Sequence, residues 1–487
     1  MLRKVNGVFN RAFEALQHRP DEEKLHFAHH DETELGRITS DGLANGTVTG
    51  QPSAAHNGIV TGPGSVRGLQ RHASSGNFNR KEISAWDAGW NVTNAIQGMF
   101  LVALPYGVLH GGYWTLLALV AAAIITCYTG IILVECLYEI SPLNDEKIRV
   151  RETYVSIARE VWGARFASRI VHTAQFIELI MTCILYLVLC GDMMYNTFPI
   201  MSESAWTVVA SFFVVPCAFL RDLKAVSRLS FGNAIAHVVI NVVVVGFCMT
   251  QISSWQWSKT PVLINIHHFP VSLGIVVFSY TSHIFLPSLE GSMRNRGNFR
   301  TMLYWTHGLA GLFKFLFAYL CFLTFANATQ EVITDNLPTE GFKALVSICL
   351  VAKALLSYPL PYFAAAELLE RAFFQGRPET VWSSCYAFDG MLHTWAVVLR
   401  IFLVLFSLIL AVIIPHFALL MGLIGSFTGT MLSFVWPCWF HLKIKWHDLR
   451  WYKKALDIAI ISSGFMCCGV GIIFSTSSLV EAYQEQP

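Results

Sequence analysis

The stretch Asn91-Val92-Thr93-Asn94-Ala95-Ile96-Gln97-Gly98-Met99-Phe100-Leu101-Val102-Ala103-Leu104-Pro105 places amides, a hydroxyl, a glycine and a proline inside an otherwise apolar run. A second stretch, Phe278-Ser279-Tyr280-Thr281-Ser282-His283-Ile284-Phe285-Leu286-Pro287, does the same and also ends on Leu-Pro. The pieces 98–105 and 280–287 align with their Leu-Pro pairs in register. Inside a bilayer, unwound backbone is tolerated only where it lines a cavity. Paired interruptions at corresponding positions of two halves therefore point to the binding site of a secondary transporter. Two ordinary proline kinks are the simpler alternative, and the polar clusters before each Leu-Pro weigh against it.

Outward from these stretches, eleven apolar runs recur, most of them near 20 residues, the length that crosses a hydrocarbon core of about 30 Å. They cover 88–109, 113–138, 170–193, 205–220, 229–250, 271–289, 304–325, 342–368, 394–414, 417–442 and 455–479. The whole chain of 487 residues is 54% hydrophobic and only 14% charged. Soluble domains carry about 25% charged residues, so a string of soluble globules is excluded. A net charge of +2 leaves no basic excess for nucleic acid. Eleven of the twelve cysteines lie in apolar runs, with Cys385 in a loop, which suits packing or lipid contact rather than a disulfide framework.

The expected organisation is a disordered cytoplasmic tail over 1–84, an eleven-helix transporter domain over 85–483 and a short lumenal C-terminus over 484–487. The tail is rich in Gly, Ser, Thr, Asn and His, too polar to bury a core, and it lacks the apolar centre of a signal peptide. Val5, Phe9, Phe13 and Leu16 are spaced for a short amphipathic helix, and residues 21–35 are a candidate sorting segment for trafficking proteins. Charge placement tests the count. With the tail cytoplasmic, nineteen Lys and Arg fall in the loops on that side, and Lys259 alone falls in the opposite loops. This positive-inside bias supports eleven spans with a cytoplasmic N-terminus. On the same map, Asn327-Ala328-Thr329 lies in a lumenal loop and is the accessible glycosylation sequon.

Ionisable residues within apolar runs are expensive and mark function. His172, Gln175, Glu178 and Thr182 share one helix face, as do Asn233, His237 and Asn241; His307 and Lys314 follow in the seventh run, and Lys353 with Ser357 in the eighth. Glu178, Lys314 and Lys353 are the deepest charges, and at least two of them are expected to pair or exchange protons. A structural ion pair is the alternative, and for His237 an internally bonded histidine competes with a proton relay. Arg400, Glu367 and Asp457 lie nearer span ends, where they can reach the interface, and are given no role. The double proline in Tyr358-Pro359-Leu360-Pro361 predicts a bend. No HExxH or GxSxG pattern and no ligand-spaced cluster occurs, so neither an enzyme nor a metal site is expected, and no cofactor.

Several long motifs carry a resemblance: Trp86 to Phe100, His110-Gly111-Gly112-Tyr113, Ile177 to Tyr186, Phe285 to Gly291, Glu331 to Pro338, Val351 to Pro361 and Pro415 to Leu423. Over 84–483 the chain closely resembles the vesicular inhibitory amino acid carriers of the amino acid/auxin permease family. The resemblance implies a LeuT-type inverted repeat of five plus five helices with an added eleventh, and with helices one and six broken. It implies loading of GABA and glycine, with β-alanine a further candidate, into synaptic vesicles of neurons. Lumenal protons from a vacuolar ATPase would be exchanged, and chloride is a candidate ion. In that fold the first break, here Gln97, Gly98 and Met99, holds the substrate carboxylate, and the sixth-helix break, here Phe278, Ser279 and Tyr280, holds the amine. Asn94 is added to the carboxylate side and Ser282 to the amine side. Proton coupling falls to Glu178 with Lys353, and Lys314 and His237 are the further candidates. A plasma-membrane proton- or sodium-coupled symporter of the same fold is the rival.

Overall fold

The computed structural model describes residues 83–141, 146–219, 223–337, 340–373 and 394–485. The expected tail helix, the sorting segment and Cys385 lie outside them, as do all but the last two residues of 1–84. Chain contacts divide the molecule into two units, Met1–Lys81 with Ile140–Lys147 and Glu82–Glu139 with Ile148–Pro487. Of the first, residues 140, 141, 146 and 147 are described.

The second unit is helical. Helix α1 (Ala85–Ile96) opens on a capping box in which Ser84 Oγ accepts from the Asp87 backbone N–H and the Asp87 carboxylate accepts from Ser84 N–H, so two N-terminal donors are satisfied locally. A short 3₁₀ segment (Met99–Ala103) leads into α2 (Leu104–Glu135), with Pro105 in its first turn. Within α2 the helix turns at Gly112, whose φ is +55°. A Cβ there would sit 2.0 Å from the Pro261 carbonyl oxygen, so only glycine fits. This turn falls between the first two predicted spans.

Two short strands, β1 (Tyr138–Ile140) and β2 (Lys147–Arg149), pair as a two-stranded sheet. Then follow α3 (Tyr154–Trp162), α4 (Ala164–Thr197), α5 (Glu203–Val214), α6 (Leu223–Thr250), α7 (Phe269–Phe278), α8 (Leu286–Gly291) and α9 (Phe299–Phe325). The double proline separates α10 (Glu340–Ser357) from α11 (Pro359–Phe373). The chain continues through α12 (Thr394–Ile413), α13 (Phe417–Ile424), two π-helical turns (Gly425–Gly429 and Met431–Val435), α14 (Trp436–Lys445) and α15 (Trp451–Glu485).

Among the described residues, seven helical stretches are long and apolar enough to cross a membrane, and the first of them, Ala85–Glu135, covers the first predicted span and all but the last three residues of the second. Three shorter apolar helices, Glu203–Phe219, His237–Thr250 and Phe269–Phe278, fall on the predicted fourth, fifth and sixth. Large apolar side chains such as Ile124, Phe212 and Ile473 face outward, the surface expected of helices solvated by lipid. The stretch Phe417–Lys445 is the most enclosed, 83% buried, whereas Trp451–Gln484 is 28% buried, so the former is central and the latter peripheral.

Arg400 and Asp457, near span ends in the sequence, are buried within the protein. Arg400 is 1% exposed and paired with Glu370 at 2.7 Å. Asp457 is fully buried, accepting from Tyr128 Oη at 2.6 Å and lying 2.7 Å from His441 Nδ1. Neighbouring helices supply partners that sequence position does not reveal, and a buried charge persists only with such partners. The eleven described cysteines are free thiols.

Candidate functional site

Both polar stretches break their helices. Helix α1 ends at Ile96, Gln97 leaves helical geometry, and Gly98 is extended at ψ −167°. The 3₁₀ segment that follows has no side-chain cap on its first N–H groups. Helix α7 ends at Phe278, and residues 279–285 run through turns before Leu286-Pro287 restarts the chain as α8. In each case Leu-Pro opens the second piece, because proline needs no N–H partner in a first turn.

The two breaks differ in surroundings. Asn94, Gln97 and Gly98 are partly exposed, Met99 is buried, and among the described residues the side-chain amides of Asn94 and Gln97 make no hydrogen bond. Phe100, just past the break, stacks on Tyr186 at 5.5 Å, meets Phe278 edge-on at 4.9 Å and stacks on Phe417 at 6.3 Å. Rings from four segments thus lie together between the breaks.

At the second break Phe278, Ser279, Tyr280 and Ser282 are all at most 2% exposed. The ammonium of Lys314, itself fully buried, donates to the carbonyl and to Oγ (3.0 Å) of Ser279. It also lies 3.5 Å above the Tyr280 ring, a cation–π contact. A side-chain cation thus occupies the place the sequence assigned to the substrate's ammonium. Tyr280 Oη and Ser282 Oγ are buried with no hydrogen-bond partner among the described residues.

Glu178 approaches the same break from α4. The hydroxyls of Thr281 and Thr428 lie beside its carboxyl. They donate to the carbonyls of Phe278 (2.9 Å) and Ile424 (3.3 Å), leaving Oε2 of Glu178 without a hydrogen bond. Thr428 belongs to the first π turn, a helix defect often found at functional sites. That turn presses on α7: a Cβ on Gly425 would lie 1.9 Å from the Gly274 carbonyl oxygen. Sequence reasoning missed Thr281, Thr428, Tyr186 and Phe417. The spacing of Gly422, Gly425 and Gly429 was the one available signal for the close crossing.

The other intramembrane candidates stand elsewhere. Lys353 on α10 is bonded to His237 Nδ1 on α6, and His237 Nε2 lies 3.0 Å from Asn241 Nδ2; the side chain of Asn233 lies outside the described residues. Among the described residues no ion pair joins Glu178, Lys314 and Lys353 to one another. His307 bonds the Leu303 carbonyl, and His283 meets Thr129 Oγ1 at 2.9 Å. Asn327 is exposed in a 3₁₀ turn (Ala326–Ala328).

A cavity of about 450 Å³ is lined by Tyr106 and His110, which follow the first break, and by His268 and Val271, which precede the second. Glu331 and His416 also line it, with His416 Nδ1 3.8 Å from Glu331 Oε1, and so do residues of α15, among them Glu481. Hydrogen bonding to Glu331 holds His416 above the usual histidine range. Among the described residues no group of three or more His, Cys, Asp or Glu is arranged to hold a metal ion.

Comparison with known proteins identifies the family. The transmembrane amino acid transporter protein family matches residues 81–477. The vesicular inhibitory amino acid transporter of Xenopus tropicalis is 46% identical over 99% of this chain and 95% of its own, and that of Homo sapiens is 45% identical over the same shares. The vesicular GABA transporter of Caenorhabditis elegans is 47% identical over 82% of this chain and 81% of its own. A solved Na+-coupled sialic acid symporter aligns at TM-score 0.46 and 13% identity over 82% of this chain and 90% of that one, too slight a likeness to define the fold. The chain belongs to the transmembrane amino acid transporter protein family, among its vesicular inhibitory amino acid transporters, and is a carrier rather than an enzyme.

Proposed function

We propose that this multi-pass vesicle membrane protein loads GABA and glycine into synaptic vesicles in exchange for lumenal protons supplied by a vacuolar ATPase. The observation that carries the substrate class is the near-full-length identity to vesicular inhibitory amino acid transporters. Two matched helix breaks, each restarted by Leu-Pro, support eleven crossings arranged as an inverted five-plus-five repeat with an added helix. The basic loops support a cytoplasmic N-terminus, a tail over 1–84 that meets trafficking proteins, and a lumenal C-terminus. Asn327, exposed on the lumenal side in that topology, is the glycosylation site.

In this reading the substrate lies between the breaks, with Asn94, Gln97, Gly98 and Met99 on one side and Phe278, Ser279, Tyr280 and Ser282 on the other. The aromatic group around Phe100 excludes water. Glu178 carries the exchanged proton: its carboxyl is enclosed and lies at the break itself. Lys353, His237 and Asn241 form a separate polar link that holds α6 to α10 during the cycle. Exchange of a zwitterion for a proton moves charge, so membrane potential contributes roughly 2.3 kcal/mol per 100 mV. β-Alanine is a further substrate and chloride a further ion in this scheme.

Radiolabelled GABA uptake by purified protein in acid-loaded liposomes tests the proposal, with glycine, β-alanine, glutamate, chloride and sodium varied in turn. Uptake that collapses with the proton gradient and ignores sodium is expected. Sodium-driven uptake indifferent to the proton gradient overturns it.

A further inference from the structure

We infer that the second break is the carboxylate pole of the substrate site, with Lys314 binding the substrate's carboxylate and Glu178 its ammonium. This polarity presupposes the transport function proposed above and fixes the substrate's orientation within it. It also reverses the polarity expected from the sequence.

Three consecutive break residues organise the charges. Lys314 is fully buried, yet its partners are neutral: the Ser279 carbonyl and hydroxyl and the Tyr280 ring. Among the described residues no carboxylate lies within ion-pair distance of it. One residue further on, Thr281 borders the carboxyl of Glu178, which is likewise buried, with Oε2 unbonded and without a cationic partner among the described residues. A buried charge without a counter-ion is strongly unfavourable. Here a cation and a carboxyl flank one unwound segment, each lacking its complement. A zwitterionic amino acid supplies both at once. The unbonded hydroxyls of Tyr280 and Ser282 sit in the same segment and offer further donors for a carboxylate. The ammonium cannot lie at Ser279 in the expected orientation, because Lys314 already fills that position with the same charge.

The arrangement also yields exchange. Glu178 can hold a proton or face the substrate's ammonium, and not both, so loading one displaces the other. The groups facing Glu178 are Thr281 of the break, Thr428 of the π turn, Tyr154 of α3, and Gln175 and Thr182 on its own helix. None of these ionises as a base near neutral pH. Lys314 has His307 on its own helix and His237 on α6 as its titratable neighbours.

Half-molecules of the substrate separate the two poles. Full-length purified protein is tested for displacement of radiolabelled GABA by butyrate, which keeps the carboxylate, and by butylamine, which keeps the ammonium. In Lys314→Gln, butyrate is expected to lose about 30-fold in potency, the loss of one charge-assisted hydrogen bond, while butylamine is unchanged. In Glu178→Gln the pattern inverts, and GABA binding no longer weakens as pH falls. Lys314→Arg keeps the charge and is expected to retain butyrate displacement. Equal losses for both half-molecules in both variants, or butyrate unaffected by Lys314→Gln, overturn the assignment. Because the two variants are read independently, misfolding of one leaves the other decisive. Failure of the wild-type protein to take up GABA refutes the transport proposal itself, whereas wild-type uptake with unselective variants refutes the polarity alone.

Discussion

The two helix breaks share a sequence pattern and differ in electrostatics. The first is partly exposed, and among the described residues the side-chain amides of Asn94 and Gln97 there have no partner. The second is deeply buried, with Lys314 on Ser279 and Glu178 beside Thr281. The difference teaches that Leu-Pro marks where a helix restarts, whereas the chemistry of each break is set by the helices packed around it. In the proposed reading the first break offers neutral hydrogen-bonding groups to the substrate and the second offers charged ones.

The sharpest test of that contrast is Glu178→Gln. Proton-driven GABA uptake in proteoliposomes is expected to fall about 100-fold, the upper range of a typical coupling energy, with residual exchange insensitive to pH. A variant that stayed proton-coupled would return the two breaks to equal standing. Next come the glycines. Gly425→Ala forces a methyl to within 1.9 Å of the Gly274 carbonyl oxygen, whereas a Cβ at Gly98 would meet nothing closer than Phe100 at 3.4 Å. Gly425→Ala should therefore destabilise the folded protein by about 1–3 kcal/mol, while Gly98→Ala stays within about 0.5 kcal/mol. Thermal unfolding in detergent distinguishes them, and equal melting temperatures would contradict the close crossing.

At the first break, Gln97→Ala removes one hydrogen-bonding amide from a half-buried surface. A roughly fivefold rise in KM for GABA at unchanged kcat is expected; an effect as large as that of Glu178→Gln would show that the first break carries the charge-bearing contact after all. The smallest effect lies outside both breaks. Asp335, in a 3₁₀ turn (Ile333–Asn336), has its carboxyl pushed up to about 6 by burial, despite Lys343 at 3.6 Å and Asn196 at 2.9 Å. Its folded form holds a proton more tightly than the unfolded chain does, so stability rises as pH falls from 7 towards the ordinary carboxylate value. Asp335→Asn should flatten the melting temperature between pH 7.5 and pH 5 while leaving GABA affinity unchanged. A steeper profile in the variant would invert the sign and refute this assignment.

Much of the architecture was legible from local pattern. Apolar runs near 20 residues, the Leu-Pro pairs and the double proline at Pro359 and Pro361 fall on helices, breaks and a helix boundary in the structure. Individual charges were less legible. Glu178, Lys314 and Lys353 stand out in sequence as deep ionisable residues, yet Lys353 meets His237 and Lys314 meets Ser279 rather than each other. Asp457 and Arg400 looked peripheral by position and are buried in pairs with His441 and Glu370. Thr428 carried no signal of its own, because its importance comes from a π turn pressed against another helix.

The amino-acid sequence by itself determined which segments seek a bilayer and where their helices are interrupted, because hydrocarbon selects each segment by its own polarity and length. Only the tertiary structure decided which side chains share a break. Ser279 meets Lys314 thirty-five positions away, and Glu178 meets Thr281 and Thr428 from two other segments. Such contacts are fixed by how helices cross, and crossing depends on the small residues and ring shapes of every neighbour at once.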